Sequence, residues 1–165
     1  MRFYRLPAYW ILLGGLLVWC GLIVLGPLLA VRFPSAAALC YRFFSPVCHQ
    51  DPVRSFFIFG RPLTVCIRCS AIYSAFCTGV LLLPWASQRL RSSTPLLWLC
   101  ALCPMLIDVF LDTFGLHSSG TVSRLLTGGI FGLLSAQIVA PLFIEALYEI
   151  FPFQQNYRMR HEPQT

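Results

Sequence analysis

Four long apolar segments follow one another along the 165-residue chain, separated by shorter polar or aromatic connections. About 20 consecutive apolar residues cross the hydrocarbon core of a bilayer as a helix, so this pattern predicts four membrane-spanning helices. The predicted spans cover residues of about 8–31, 63–86, 95–114 and 122–150. The expected fold is therefore all-α, a polytopic membrane protein that forms a single four-helix bundle.

The connection between the first two spans, residues 32–62, is much longer than the usual connection of about 4–6 residues. Its opening run, SAAALCYRFF, predicts a short helix capped by Ser35. The run SFFIFG is aromatic enough to lie in the membrane interface or to dip into the bilayer. We therefore expect an ordered loop that carries part of a site, whereas residues 151–165 predict a polar, frayed tail.

The first apolar segment resembles a signal peptide only at first sight. Its apolar stretch exceeds the roughly 7–15 residues of a signal h-region. The sequence AALC also lacks the small residue that a lipoprotein signal needs directly before its cysteine, here Cys40. We interpret this segment as an uncleaved membrane helix.

Composition and charge support a membrane location and narrow the set of partners. The chain is 58% hydrophobic and 11% charged, with a mean hydropathy of +0.74, which excludes an ordinary soluble domain. Its net charge of +6 comes from arginines spread along the whole length, so nucleic acid is not an expected partner. Anionic lipid head groups are expected partners. Other membrane proteins or a second copy of the chain are further candidates.

The orientation in the membrane depends on how the arginines are interpreted. Four spans place both termini on one side and the long loop with the third connection on the other. Six arginines fall on each side, so the positive-inside rule alone gives no orientation. If Arg54, Arg68 and Arg124 serve a site, they do not count toward the charge that sets the orientation. The side with the termini then has more arginines and is cytoplasmic, and we expect this orientation.

The eight cysteines fall into two groups. Those inside apolar runs, interpreted as small apolar residues, are Cys20, Cys77, Cys100 and Cys103. Those in or beside the long loop, where polar neighbours accompany them, are Cys40, Cys48, Cys66 and Cys69. The second group therefore holds the candidates for chemistry.

The sharpest motif is Cys48-His49 followed by Cys66-Ile67-Arg68-Cys69 near the start of the second span. A Cys-x-x-Cys pair with one more cysteine and a histidine would complete the tetrahedral sulfur and nitrogen shell typical of zinc. The predicted metal ligands are therefore Cys48, His49, Cys66 and Cys69. Attachment of c-type haem is excluded because Ser70 stands where that motif needs histidine. The alternative is a purely structural role. A disulfide or a buried metal ion would then fix the long loop to the helix bundle.

The same motif supports a membrane thiol–disulfide oxidoreductase that uses Cys66 and Cys69. A helix N-terminus and Arg68 would both favour the thiolate form of these cysteines. The architecture looks like that of quinone-linked oxidases that make disulfides in bacterial envelopes, so a quinone is expected only under this alternative. Those enzymes carry a second cysteine pair in the other long loop, whereas the third connection here contains no cysteine.

Charged residues from several segments are expected at the same membrane face as the cysteines. A charged carboxylate at a helix centre costs about 2.5–3.5 kcal/mol on insertion scales, so Asp108 is predicted to pair with Arg68 or Arg124. Asp112, one helical turn away, could bind Arg124 or a ligand cation. The catalytic candidates are Asp108, Arg54 and Arg124. A small transporter or accessory subunit, with these residues lining a pathway, is the third alternative.

One run of the chain, CHQDPVRSFFIFGRPLTVCIRCSAIYSAF, resembles the domain-of-unknown-function 2085 family of small predicted membrane proteins. The matching residues are Cys48, His49, Gln50, Arg54, Ser55, Phe56, Gly60, Cys66, Arg68, Cys69, Ile72 and Tyr73. Later elements also look similar, at Pro104, Asp108, Arg124, Thr127 and Gly128. Ala71 departs from the family, which often has glycine there. The resemblance covers about residues 40–135 and implies a membrane protein, but it brings no activity with it.

Overall fold

The computed structural model describes residues 7–85, 94–115 and 120–150, and these form a mainly helical protein. Their five α-helices are α1 (Pro7–Leu29), α2 (Pro34–Phe44), α3 (Ile67–Leu82), α4 (Thr94–Thr113) and α5 (Thr121–Ile150). A 3-10 turn at Pro52–Arg54 and a hairpin of two short strands, β1 (Phe57–Ile58) and β2 (Arg61–Pro62), lie between α2 and α3. The helical prediction is thus confirmed in its coarse form, whereas the hairpin was not predicted. The predicted polar tail lies outside the described residues.

Two of the described helices are long and apolar enough to cross a membrane. They are α1 and the segment Thr121–Leu147 of α5, whereas the 16-residue α3 is apolar but shorter. Large apolar side chains are exposed along α1 and α4, including Trp10, Val18 and Leu106. Exposed apolar surface of this extent is typical of a protein in contact with lipid or another protein.

The third helix begins at Ile67, later than the apolar run predicts. Leu63 and Val65 are buried in a cluster under the loop instead of continuing the helix. Cys66 has extended backbone angles, with φ −68° and ψ 164°, and is the N-cap of α3. The apolar character of residues 63–66 therefore reflects burial below the loop, which periodicity along the chain does not distinguish from a helix.

The predicted short helix after the first span exists as α2, but its predicted cap is wrong. The N-cap is Phe33, and no side chain caps the helix. Pro34 occupies the first turn, where its missing N–H costs nothing because such groups lack intrahelical partners. The SFFIFG run forms β1 and the turn of the hairpin, in which Phe59 has φ 50° and Gly60 has φ 73°. Two consecutive left-handed residues are typical of a type I′ hairpin turn.

Close packing of α3 against α5 depends on glycine. A Cβ atom at Gly132 would collide with the carbonyl oxygen of Ile72, and one at Gly128 would lie 2.8 Å from the carbonyl oxygen of Arg68. The space around Gly129 is open. Gly128 and Gly132 therefore allow the close approach of α3 and α5, whereas a Cβ added at Gly129 would meet no neighbouring atom.

Two apolar clusters hold the bundle and the loop. The first joins α1, α3 and α5 through Ala8, Tyr9, Leu13, Val80, Leu83, Ala136, Ala140 and Ile144. The second, around Ile23, Phe44, Cys48, Leu63 and Val65, joins α1 and α2 to the segment before α3. Cys66, Cys69 and Tyr73 pack against the second cluster. The loop is thus anchored on α1 at the end of the bundle where α3 begins.

Candidate functional site

The structure brings Cys48 to the Cys66–Cys69 pair, although Cys48 and Cys66 are 18 residues apart in the sequence. Cys48 follows α2, Cys66 is the N-cap of α3, and Cys69 lies in the first turn of α3. Their Sγ atoms all lie within 4.8 Å of one another. Cys48 is 6% exposed, and the other two are half-buried. We call Cys48, Cys66 and Cys69 the sulfur triad; all three are free thiols.

Main-chain groups hold Cys48 in the sulfur triad. Its Sγ atom accepts hydrogen bonds from the N–H of Cys66 at 3.2 Å and from the N–H of Gln50 at 3.5 Å. The first of these bonds links the loop directly to the start of α3. Cys66 and Cys69, three residues apart, share one face of the chain where the helix begins.

Hydrogen bonding also favours a negative charge in the sulfur triad. Bonds from the side chains of Cys48 and Cys69 lower the pKa of the Cys66 thiol, and main-chain N–H groups of the first helical turn act in the same direction. Burial raises this pKa but is outweighed. Because the thiolate is the form that binds metals and attacks disulfides, these contacts prepare Cys66 for either reaction.

The structure does not bring the predicted histidine to the sulfurs. His49 is exposed, and the group of neighbouring ligand atoms contains the three sulfurs without it. The role of His49 as a fourth ligand stays a prediction. Cys20, Cys77, Cys100 and Cys103 lie on α1, α3 and α4 and are not members of the group.

A buried ion-pair cluster connects α3, α4 and α5. Asp108, which is 6% exposed, accepts hydrogen bonds from Arg68 and from the hydroxyl groups of Ser123 and Thr127, the last at 3.3 Å. The prediction that Asp108 pairs with Arg68 or Arg124 is confirmed, with Arg68 as a partner. The sequence analysis did not identify Ser123 and named Thr127 only within the family resemblance, because hydroxyl side chains on a helix carry no distinctive pattern.

The second carboxylate of the cluster binds the loop. Asp112 accepts hydrogen bonds from Arg124 at 3.2 Å and from Arg54 at 3.0 Å. Arg54 is half-exposed and also lies 3.3 Å from the carboxylate of Asp51. The three catalytic candidates, Asp108, Arg54 and Arg124, therefore belong to one ion-pair cluster, as the topology predicts.

This ion-pair cluster has the properties of a structural lock. The four side chains at its centre, Arg68, Arg124, Asp108 and Asp112, are at most 16% exposed and carry balanced charges. Breaking such a pair by removing one partner is strongly destabilising because the other charge stays buried. The buried Nε atoms of Arg68 and Arg124 have no hydrogen-bond partner among the described residues.

An apolar cavity of about 350 Å³ lies between α1, α3, α4 and α5. Its aromatic lining residues are Trp19, Tyr73, Phe76, Trp98 and Phe131. Two of them, Trp19 and Tyr73, also pack against the cluster that contains Cys48.

Comparison with known proteins gives a family but no activity. A family model described as "Predicted membrane protein (DUF2085)" matches residues 48–138. An uncharacterised protein of Methanocaldococcus jannaschii, MJ1492, is 36% identical over 113 residues, which are 67% of this chain and 72% of that protein. No solved structure matches the chain. The matched region begins at Cys48 and contains both the sulfur triad and the buried ion-pair cluster.

Proposed function

The chain belongs to the DUF2085 family of predicted membrane proteins, and from this premise we propose a multi-pass membrane protein that binds zinc through the sulfur triad. The observation that carries the proposal is the approach of three free thiols, from two separate segments, to within 4.8 Å of one another. Soft thiolate ligands select zinc, copper(I) or iron–sulfur clusters, and zinc is the usual ion in small cysteine sites closed by histidine.

The fourth coordination position decides what kind of zinc site this is. His49 is the proposed fourth protein ligand because it follows Cys48 directly in the sequence. Its side chain is exposed, so it would need to turn inward to reach the metal. Four protein ligands would make the zinc structural, pinning the loop onto α3. Three protein ligands would leave a position for water or a substrate, as in catalytic zinc sites.

Metal analysis of the purified chain tests this function. We expect about one zinc per chain, lost in Cys66→Ser and Cys69→Ser and reduced in Cys48→Ser or His49→Ala, because each substitution removes a ligand. Cys103→Ser is the matched control, since Cys103 is exposed on α4 and lies outside the sulfur triad. Its zinc content should equal that of the wild type.

Thiol counting under non-reducing conditions distinguishes the second candidate, a thiol–disulfide oxidoreductase. This candidate is supported by the lowered pKa of Cys66. It is also supported by the apolar cavity, which would accept a quinone and whose lining residues Trp19 and Tyr73 pack against the cluster that contains Cys48. Absence of metal together with a Cys66–Cys69 disulfide that reduces and re-forms would establish it in place of zinc binding. If the chain holds no metal and its Cys66–Cys69 disulfide does not exchange, the disulfide is purely structural.

We further propose four crossings, with both termini in the cytoplasm and the sulfur triad at the opposite face. The support is the packing of α3 and α4 against the candidate span in α5. Labelling of introduced cysteines tests this topology. Reagents should modify Ser92→Cys and His117→Cys from opposite sides, and modification of both from one side would contradict it. Both positions lie outside the described residues.

A further inference from the structure

One side-chain amide joins the two segments that supply the sulfur triad. The Nε2 atom of Gln50 donates hydrogen bonds to the carbonyl oxygens of Tyr41 and Thr64, each at 2.7 Å. Tyr41 lies in α2, a few residues before Cys48, and Thr64 lies two residues before Cys66. A single nitrogen therefore uses both of its N–H groups to tie the chain before Cys48 to the chain before Cys66.

The main chain of Gln50 acts at the same place. Its N–H donates to the Sγ atom of Cys48, and its backbone has φ 53°, in the left-handed region. This conformation is uncommon for residues other than glycine and is strained, so surrounding contacts must maintain it. The two hydrogen bonds of the side-chain amide are such contacts.

The acceptors of these two hydrogen bonds are themselves anchored. The Thr64 hydroxyl donates to the carbonyl oxygen of Ile23 in α1 at 3.1 Å, and Thr64 is fully buried. The Tyr41 hydroxyl donates to the carbonyl oxygen of Pro62 in β2. Gln50 thus bonds to segments that α1 and the hairpin already hold in position.

We propose that Gln50 is a positioning residue for the metal site, which sets the separation between Cys48 and the Cys66–Cys69 pair before a metal arrives. This inference rests on the proposed zinc binding. Bringing three thiolates together is unfavourable because like charges repel. If the sulfur triad is already assembled, less of the free energy of metal binding is spent on bringing the sulfurs together. Residues around metal ligands typically change metal affinity by about 10–100-fold when they are lost.

Two substitutions separate the amide of Gln50 from its backbone. Gln50→Glu keeps the shape but replaces the donating nitrogen by an oxygen, which faces two carbonyl oxygens and repels them. Gln50→Gly removes the amide but accepts φ 53° without strain, so a loss of metal affinity in this variant does not arise from backbone strain. Gln137→Glu is the matched control, because the buried Gln137 amide donates to the carbonyl oxygen of Gly79 at 3.0 Å, outside the sulfur triad.

The experiment is a cobalt(II) titration of the purified full-length chain in detergent, followed by thiolate-to-cobalt absorption and by competition with a chelator. We expect Gln50→Glu and Gln50→Gly to bind cobalt about 10–100-fold more weakly than the wild type. Gln137→Glu should bind as the wild type does, even if its thermal unfolding midpoint falls. The inference would be overturned if both Gln50 variants bind cobalt(II) with the affinity of the wild type. This holds even if their thermal unfolding midpoints are lower.

A wild-type chain that binds neither cobalt nor zinc would refute the proposed function, and the positioning role is then tested on the thiols themselves. In a Cys69→Ser background, a mild oxidant should join Cys48 to Cys66 at least about tenfold faster with Gln50 than with Gln50→Glu, since closeness governs this reaction. Equal rates would overturn the inference independently of any metal.

Discussion

Replacement of Asp108 by asparagine is expected to destabilise the protein severely. Asp108 is buried and receives hydrogen bonds from Arg68, Ser123 and Thr127. The neutral amide of the variant would leave the Arg68 guanidinium buried without this counter-charge, and breaking a buried pair in this way costs about 3–5 kcal/mol. Since a whole domain is stable by only about 5–15 kcal/mol, Asp108→Asn should sharply reduce accumulation in the membrane and lower the thermal unfolding midpoint in detergent.

Asp51→Asn provides the matched control for Asp108→Asn. Its carboxylate also pairs with an arginine, Arg54, but both side chains are more than 40% exposed. Exposed pairs contribute about 0–1 kcal/mol, so this variant should accumulate almost normally. Full tolerance of both Asp108→Asn and Arg124→Gln would show that the ion-pair cluster does not lock the helices.

Replacement of Gly132 by valine is expected to separate α3 from α5. Any Cβ at this position collides with the backbone at Ile72, which cannot move aside as a flexible side chain would. Overpacking typically lowers the free energy of unfolding by about 1–3 kcal/mol. Because the nearest atoms opposite Gly132 belong to the backbone of α3, we expect a loss at or above the upper end of this range. Because α3 carries Cys69 on its first turn and begins directly after Cys66, we expect Gly132→Val to lose both thermal stability and bound zinc.

The neighbouring glycine supplies the comparison for this experiment. Gly129 lies on the same helix, with nothing within 4 Å of an added Cβ. Gly129→Val should therefore keep the unfolding midpoint and the zinc content close to those of the wild type. Equal losses in the two variants would mean that helix propensity or insertion, and not contact with α3, explains the effect.

The sequence by itself determined the mainly helical architecture and the residue types that make up the candidate site. Long apolar runs specify helices because each backbone group must find its hydrogen bond within the segment when water is absent. The Cys-x-x-Cys spacing specified that two sulfurs share a helix start, and Asp108 inside an apolar run demanded a cationic partner. These conclusions follow from local chain geometry and from the cost of burying charge, so they need no knowledge of how distant segments meet.

Only the tertiary structure decided which residues meet. Cys48 joins Cys66 because the Gln50 amide bridges Tyr41 and Thr64, and no periodicity in the sequence encodes such a bridge. The structure also brought Arg68 to Asp108, and left His49 exposed beside the buried Cys48. Such choices depend on contacts between segments that lie far apart in the chain. Their geometry is set by packing of the loop on α1, which local pattern and propensity do not describe.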